Sequence, residues 1–348
     1  MTDSPQPVLA TNSATSASPA AGSVPKLISV VLPVYNEAGS LMRLHHLLTE
    51  ELAALAGGPD WELVFIDDGS RDESFERIRA LSIQDPGHVR ALRFARNFGK
   101  EAGMLAGLEA ARGDVVVLMD SDLQHPPSLI PDMLQRWRDG ARMVTAVRRS
   151  RETDSLPRKL VSQSFYLLFH WMTEVELPRG AGDFRLMDRQ VVDAILAMPE
   201  RSRFMKGITA WVGFRQELLP FDPAERHAGR SAWSFRSLFR YAWDGITAFS
   251  TVPLRVWSLL GVMLALISVL YGAWIVFEEL FIGIDVPGYA SLMVATLMLS
   301  GVQLISLGVL GEYIGRIFNE VKRRPFFILS ERIEPPPESR DQGDGTGS

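Results

Sequence analysis

The 348-residue chain contains no cysteine, which excludes disulfides and thiolate metal sites. It also lacks a basic excess. Its 36 Lys and Arg against 41 Asp and Glu leave a net charge of −5, whereas a nucleic-acid binder is usually basic. The first 25 residues have neither the basic start nor the apolar core of a signal peptide. They are rich in Ser, Ala, Thr and Pro, a composition expected of a disordered tail over 1–25. The Pro-, Gly- and acid-rich end, from about Ile333, reads the same way.

Two stretches lack charge altogether, Val256 to Phe277 and Leu292 to Leu310. Each meets the roughly 20 apolar residues that cross a bilayer as a helix. Neither has the polar face expected of a soluble core helix. The loop between them carries Glu278, Glu279 and Asp285 but no Lys or Arg. Arg236, Arg240 and Arg255 precede the first stretch, and Arg316, Lys322, Arg323 and Arg324 follow the second. By the positive-inside rule both ends are expected in the cytoplasm and the loop outside. Just upstream, "FRSLFRYAWDGITAF" spaces Phe235, Leu238, Phe239, Ala242, Trp243, Ile246 and Phe249 helically, with Arg236 and Arg240 on the other face. That pattern predicts an amphipathic helix lying in the membrane interface.

The first half of the chain is built differently. The runs "LISVVLP", "WELVFID", "VRALRF", "DVVVLMD" and "RMVTAV" alternate with segments of helical period such as "SLMRLHHLLTEELAAL". Strand-helix alternation predicts a mostly parallel, Rossmann-like sheet covered on both faces, with ligands bound beyond the carboxyl ends of its strands. Three runs end in polar clusters, "VYNE", "DDGS" and "DSD", which can converge on one crevice. The expected organisation is a tail (1–25), an α/β domain (26–232), a juxtamembrane amphipathic helix (233–252), two transmembrane helices (253–280 and 289–315) joined by an external loop (281–288), and a basic segment with a tail (316–348).

Asp120 and Asp122 stand two apart just past an apolar strand. Close carboxylates repel unless a cation sits beside them, and hard oxygen ligands suit Mg²⁺ or Mn²⁺ together with substrate phosphates. His125 lies between Gln124 and Pro126 and reads as a loop residue rather than a ligand. His45 and His46 read as surface. Arg93, Arg96 and Lys100 either meet donor phosphates or form a solvated basic face. Gly103 and Gly107 read as close helix packing.

The ordered motifs "VVLPVYNE", "FIDDGS", "RNFGKEAG", "MDSDLQHPP", "GDFRLMDR", "RFMKGITAWVGFRQ" and R-x-x-G-x-S resemble glycosyltransferase family 2. Within it the chain is most similar to the polyprenyl-phosphate glycosyltransferase branch, which includes bacterial undecaprenyl-phosphate glucosyltransferases of O-antigen modification and dolichyl-phosphate mannose synthase. The resemblance runs from about Ile28 to Arg324. It implies a GT-A fold and a nucleotide sugar, UDP-glucose by branch, whose sugar passes with inversion to polyprenyl phosphate at the cytoplasmic face of a bacterial inner membrane. N-acetylhexosamine, aminoarabinose and mannose remain alternative sugars. It further implies that Pro33, Tyr35 and Glu37, with Asp67 or Asp68, line the base and ribose pocket. Asp120, Asp122 and Gln124 would hold Mg²⁺ or Mn²⁺. Arg148, Arg158 and Ser162 would hold the acceptor phosphate, and Arg226 and Ser231 would close over the donor. Asp183 would act as a base, orient the donor sugar or the acceptor, or simply cap a helix with Arg185 as its structural partner. Ala232 departs from the lysine usual after that serine. A homo-oligomer, such as a tetramer, is also implied. A polysaccharide synthase would carry more spans, and "LQRW" at Leu134–Trp137 lacks the spacing of its motif. A non-catalytic scaffold would have no need of both Asp120 and Asp122.

Overall fold

The first strand, β1 (Leu27–Val34), shows how the sheet is filled. Successive side chains of a strand point to opposite faces, so Ile28, Val30 and Leu32 enter one apolar cluster while Val31 enters the other. Burial on both faces turns the strand into a continuous apolar run, as in β2 (Asp60–Asp67) and β4 (Val115–Leu118). The computed structural model describes residues 24–149, 180–200, 203–222, 247, 250–281 and 288–334.

The chain continues through α1 (Leu41–Ala53), β2, α2 (Ser74–Gln84), β3 (Val89–Phe94), α3 (Lys100–Ala110), β4, α4 (Ile130–Arg138) and β5 (Met143–Arg148). After residues 150–179 come β6 (Ala181–Asp188), α5 (Arg189–Ala197), α6 (Met205–Trp211) and β7 (Gln216–Phe221). Two long helices, α7 (Val252–Phe281) and α8 (Tyr289–Lys322), precede β8 (Leu329–Ile333). Helices α1, α2 and α4 cover one face of the sheet, and α3, α5 and α6 the other. In α1 the buried residues are Leu41, Leu44, Leu48 and Leu52, the i, i+3, i+4 stripe of an amphipathic helix.

The eight strands run in the order β7-β5-β6-β4-β1-β2-β3-β8. β1 pairs in parallel with β2 and β4, β2 with β3, and β5 with β7. β6 is antiparallel to both β4 and β5, and β8 is antiparallel to β3. The expected α/β sheet, mostly parallel with helices on both faces, is therefore present. The chain crosses to opposite sides of β1 to form β2 and β4, and a crevice opens where such a reversal occurs.

The edge strand β8 was not anticipated. Ala91 lies opposite Ile333, and Phe327 stacks on Phe94 with ring centroids 5.0 Å apart. Arg79 donates to both oxygens of Glu331 at 2.7 and 2.9 Å, and Arg90 donates to Glu334 at 2.8 and 3.1 Å. Both arginines belong to the α/β unit, so the end of α8 is tied back to that unit. The hairpin of α7 and α8 is closed at the same end by Tyr313, whose hydroxyl donates to Ser250 O at 2.7 Å.

His45 departs from the surface reading. It is half-buried, its Nε2 3.4 Å from Asp85, whereas His46 is exposed. Gly107 behaves as expected of a packing glycine. A Cβ there would collide with Val31 Cγ1 and stand 2.8 Å from Ile66 Cδ1. The amphipathic-helix reading and the external loop fall almost entirely outside the described residues.

Candidate active site

The crevice is assembled from the ends of β1, β2 and β4 and the start of β6. Asp120 lies two residues past the end of β4. β6 runs antiparallel to β4, with Leu118 opposite Arg185. Extending that register two positions sets Asp120 across from Asp183. Direction explains why Asp183, at the beginning of its strand, reaches the same edge as residues at the ends of parallel strands.

The "DSDLQH" turn is fastened from several sides. Ser121 Oγ donates to Pro33 O at 3.0 Å, which joins the turn to the end of β1. Asp122 Oδ1 accepts Gln124 N–H at 3.1 Å, and Leu123 takes a φ of 62°. Asp120 N–H donates to His125 Nδ1 at 3.3 Å. His125 is buried against the rings of Phe184 and Phe221, with centroids 5.1 and 6.0 Å away. Burial pushes its pKa down, so the ring is neutral and Nδ1 accepts. The loop residue of the sequence reading is thus a buried prop beneath Asp120.

Three cationic side chains face Asp183. Lys100 Nζ lies 2.6 Å from its Oδ2, Arg185 Nη2 4.0 Å from its Oδ1, and Lys206 is close enough to lower its pKa. Burial alone would raise the Asp183 pKa, but Lys100, Lys206 and Arg185 outweigh it and hold the carboxyl well below the usual range. Lys100 Nζ also lies 2.5 Å from Asp120 Oδ1. Burial opposes the Lys100 charge, yet Asp183 and Asp120 hold its pKa above the ordinary lysine value. The neighbouring Glu101 is pushed up to about 7, first by burial and then by Asp183, while accepting Met205 N–H at 3.1 Å. Lys100 does not stand on a solvated basic face: at the crevice it bridges two carboxylates. Its only sequence signal was its place at the start of a helix following a parallel strand.

The residues carried over for the nucleotide pocket lie together at the ends of β1 and β2. Asn36, with a φ of 56°, donates its N–H to Ser70 Oγ at 3.0 Å and accepts Arg71 N–H at 2.8 Å. Glu37 N–H donates to Ser74 Oγ at 2.9 Å. Tyr35 is 43% exposed at the crevice edge. Asp67 is fully buried, accepting Ser70 N–H at 3.2 Å with Arg93 Nε 3.4 Å away. Asp68 accepts Phe98 N–H at 2.6 Å and Gly99 N–H at 2.9 Å. Burial raises the pKa of both acids. Asp68 thereby braces the loop that delivers Lys100. Gly69, with a φ of 66°, allows this contact, since a Cβ would stand 2.6 Å from Arg96 C.

Arg148, at the end of β5, donates to Gln124 Oε1 at 2.9 Å. One expected acceptor-phosphate residue is therefore joined to one expected metal-side residue. Arg158, Ser162, Arg226 and Ser231 lie outside the described residues. Asp120 and Asp122 are hard oxygen donors on one turn at an open edge, a donor set that fits Mg²⁺ or Mn²⁺ completed by substrate phosphate. The Gln124 oxygen is already engaged by Arg148.

Residues 29–196 match the family model for Glycosyl transferase family 2, and residues 252–317 match that of the GtrB C-terminal hairpin. The SfII prophage-derived bactoprenol glucosyl transferase of Shigella flexneri is 45% identical over 306 residues, covering 87% of this chain and 97% of that protein. This chain belongs to glycosyl transferase family 2. The prophage bactoprenol glucosyl transferase homolog of Escherichia coli is 42% identical over 304 residues, 87% of this chain and 98% of that protein. A solved glucosyl-3-phosphoglycerate synthase from Mycobacterium tuberculosis, in complex with Mn²⁺, UDP-glucose and phosphoglyceric acid, covers 64% of this chain and 78% of that chain, with 22% identity and a TM-score of 0.42. The glycosyltransferase described here thus combines a family 2 catalytic unit with a helical hairpin, the combination that its sequence resemblance implied.

Proposed function

We propose that this glycosyltransferase moves glucose from UDP-glucose to a polyprenyl phosphate, undecaprenyl phosphate in a bacterial inner membrane, at the cytoplasmic face. The observation that carries the reading is the likeness to bactoprenol glucosyl transferases over both parts of the chain, catalytic unit and hairpin alike. The same reaction with another sugar is the nearest alternative, because pocket differences of only ~1–3 kcal/mol separate similar substrates.

The acceptor phosphate monoester is already anionic at neutral pH, its second pKa being about 6. It needs placement more than deprotonation. A phosphate oxygen attacks the anomeric carbon from the face opposite the nucleotide. The new carbon–oxygen bond forms as the bond to the diphosphate breaks, UDP leaves with the electron pair, and the configuration inverts. Arg148 is suited to grip the acceptor because a guanidinium matches phosphate oxygens in a fork. Arg158 and Ser162 fall four apart in sequence and would share one helix face in the same task. Arg226 and Ser231 would close over the donor. Pro33, Tyr35, Glu37 and Asp67 would surround the nucleoside, with Asp68 holding the adjoining loop. Mg²⁺ or Mn²⁺ held by Asp120 and Asp122, with Gln124 alongside, would offset the charge that grows on the leaving diphosphate. Asp183, kept ionised by its cations, would orient the donor sugar.

The apolar helices would cross the membrane as a hairpin with both chain ends on the catalytic side. Pairing of β8 with β3 supports this, since the chain leaving α8 returns to the same sheet that precedes α7. Copies packing through the small residues of α8, such as Gly301, Ser306 and Gly308, would give a homo-oligomer, with a tetramer as the expected form.

The test is a donor panel. Purified protein, undecaprenyl phosphate and Mn²⁺ or Mg²⁺ are incubated with radiolabelled UDP-glucose, UDP-N-acetylglucosamine, UDP-galactose or GDP-mannose. Label entering the organic phase with UDP-glucose, and lost on adding EDTA, is the expected result. Transfer from a different donor would replace the sugar, EDTA-resistant transfer would remove the metal, and release of free sugar without lipid product would overturn the acceptor.

A further inference from the structure

Two carboxylates placed directly opposite each other on paired strands repel and destabilise the pair. Asp120, two residues past the end of β4, comes into that relation with Asp183 of β6 when the register of Leu118 and Arg185 is extended, yet both approach one ammonium, Lys100 Nζ, at 2.5 and 2.6 Å. The two anions are unequally provided for. Asp183 also has Arg185 and Lys206 in its surroundings. Among the described residues, Lys100 is the cation in ion-pair contact with Asp120. Lys100 opens the first turn of α3, its side chain 44% exposed. It can therefore leave Asp120 without disturbing the apolar core. The loop before it is held independently by Asp68, through Phe98 and Gly99.

We propose that Lys100 is a resident counter-ion on the Asp120 oxygen, which a divalent ion takes over only by displacing it, so that the metal site opens by exchange of one cation for another. The inference rests on the metal-dependent reading above. An ammonium and a divalent ion brought to one carboxylate oxygen repel each other, which weakens the metal. Displaced from Asp120, Lys100 keeps its contact with Asp183. Asp183 is in turn supported by Arg185 and Lys206, so the exchange leaves no carboxylate uncompensated. Lys100 is thus a positioning residue that sets how readily the site fills before a donor arrives.

The experiment measures Mn²⁺ binding to the full-length protein in nanodiscs by electron paramagnetic resonance, first without nucleotide. Lys100→Gln is expected to bind Mn²⁺ at least about tenfold more tightly than wild type, a difference of about 1.4 kcal/mol. Lys100→Arg, which keeps the charge, should stay within about threefold. A purely structural lysine would give the opposite sign. Equal or weaker binding by a folded Lys100→Gln protein overturns the proposal. A second measurement needs no variant. Amine labelling of Lys100 in wild type, read by mass spectrometry, should rise at least about threefold when Mn²⁺ saturates the site, and unchanged labelling likewise overturns the proposal. Wild type that binds no Mn²⁺ even with UDP present would remove the metal reading itself. Wild type that binds while Lys100→Gln matches it would remove the exchange alone.

Discussion

The same residue types meet two different surroundings in this chain. In the catalytic unit Leu32, Phe65 and Leu44 are fully buried between sheet and helices. In α7, Leu270 is 70% and Trp274 58% exposed, and the apolar windows of both long helices contribute nothing to a core. In water, exposed apolar surface costs about 25 cal/mol per Å², so two such helices cannot be left bare. The contrast teaches that one chain is written for two solvents. The sheet hides its apolar residues inside itself, whereas the hairpin relies on something outside the chain, which the proposed function identifies as lipid.

The largest expected effect breaks that contrast directly. Leu266 sits within the first apolar window and is 59% exposed. Leu266→Arg on a helix in water would be nearly silent, within about 0.5 kcal/mol. At the centre of a bilayer it costs roughly 2.5–3.5 kcal/mol. We expect the variant to lose membrane retention on alkaline extraction. Unchanged retention and yield would show that α7 does not lie at bilayer depth.

The catalytic unit contains its own misplaced charge. Glu101 has its pKa raised to about 7 by burial and by Asp183, whereas an exposed glutamate titrates near 4.3. The folded state thus holds a proton that the unfolded state releases as pH rises from about 4.3 to 7. Stability falls across that window, by up to about 4 kcal/mol, and is flat with respect to this group above it. Glu101→Gln, whose amide oxygen can still accept Met205 N–H, should remove this slope and be the more stable protein at pH 8. Thermal unfolding of both proteins between pH 5 and 8 checks this, and parallel curves would mean that Glu101 is ionised throughout.

Much of this was legible in the residues. Continuous apolar runs marked β1 to β5, and the carboxylates just past β4 marked the crevice, because buried parallel strands end abruptly at polar site residues. The remaining strands were hidden for separate physical reasons. β6 carries Asp183 and Arg185 inside a largely buried strand, so its pattern is broken by the very groups that serve the site. β8 is five residues long with two of them charged, and Arg79 and Arg90 lie 252 and 244 positions from their partners Glu331, within β8, and Glu334, just past it. No local pattern reports such a pairing. Lys100 was visible as a cation near the crevice, but its position between Asp120 and Asp183 depends on an antiparallel register that the sequence did not display. The inference that both ends of the hairpin share a side rested on charge alone, and β8 now gives it a structural argument.

The smallest expected effect compares two glycines. Gly107 in α3 faces Val31 and Ile66, and a Cβ there would collide with Val31 Cγ1 and stand 2.8 Å from Ile66 Cδ1. Both neighbours are fully buried and have little room to retreat. Gly107→Ala gains roughly 1 kcal/mol of helix propensity, but forcing a methyl into a filled core typically costs 1–3 kcal/mol. At this distance the steric cost should win, and the midpoint of thermal unfolding should fall. Gly272 in α7 has nothing within 4 Å of a Cβ, so Gly272→Ala should be neutral or slightly stabilising. Equal losses at the two positions would erase the contrast, because they would mean that the exposed face of α7 is packed against another protein surface as tightly as the core of the catalytic unit. A neutral Gly272→Ala beside a destabilised Gly107→Ala would leave that face to a fluid that yields to one methyl group, as lipid does and a packed sheet does not.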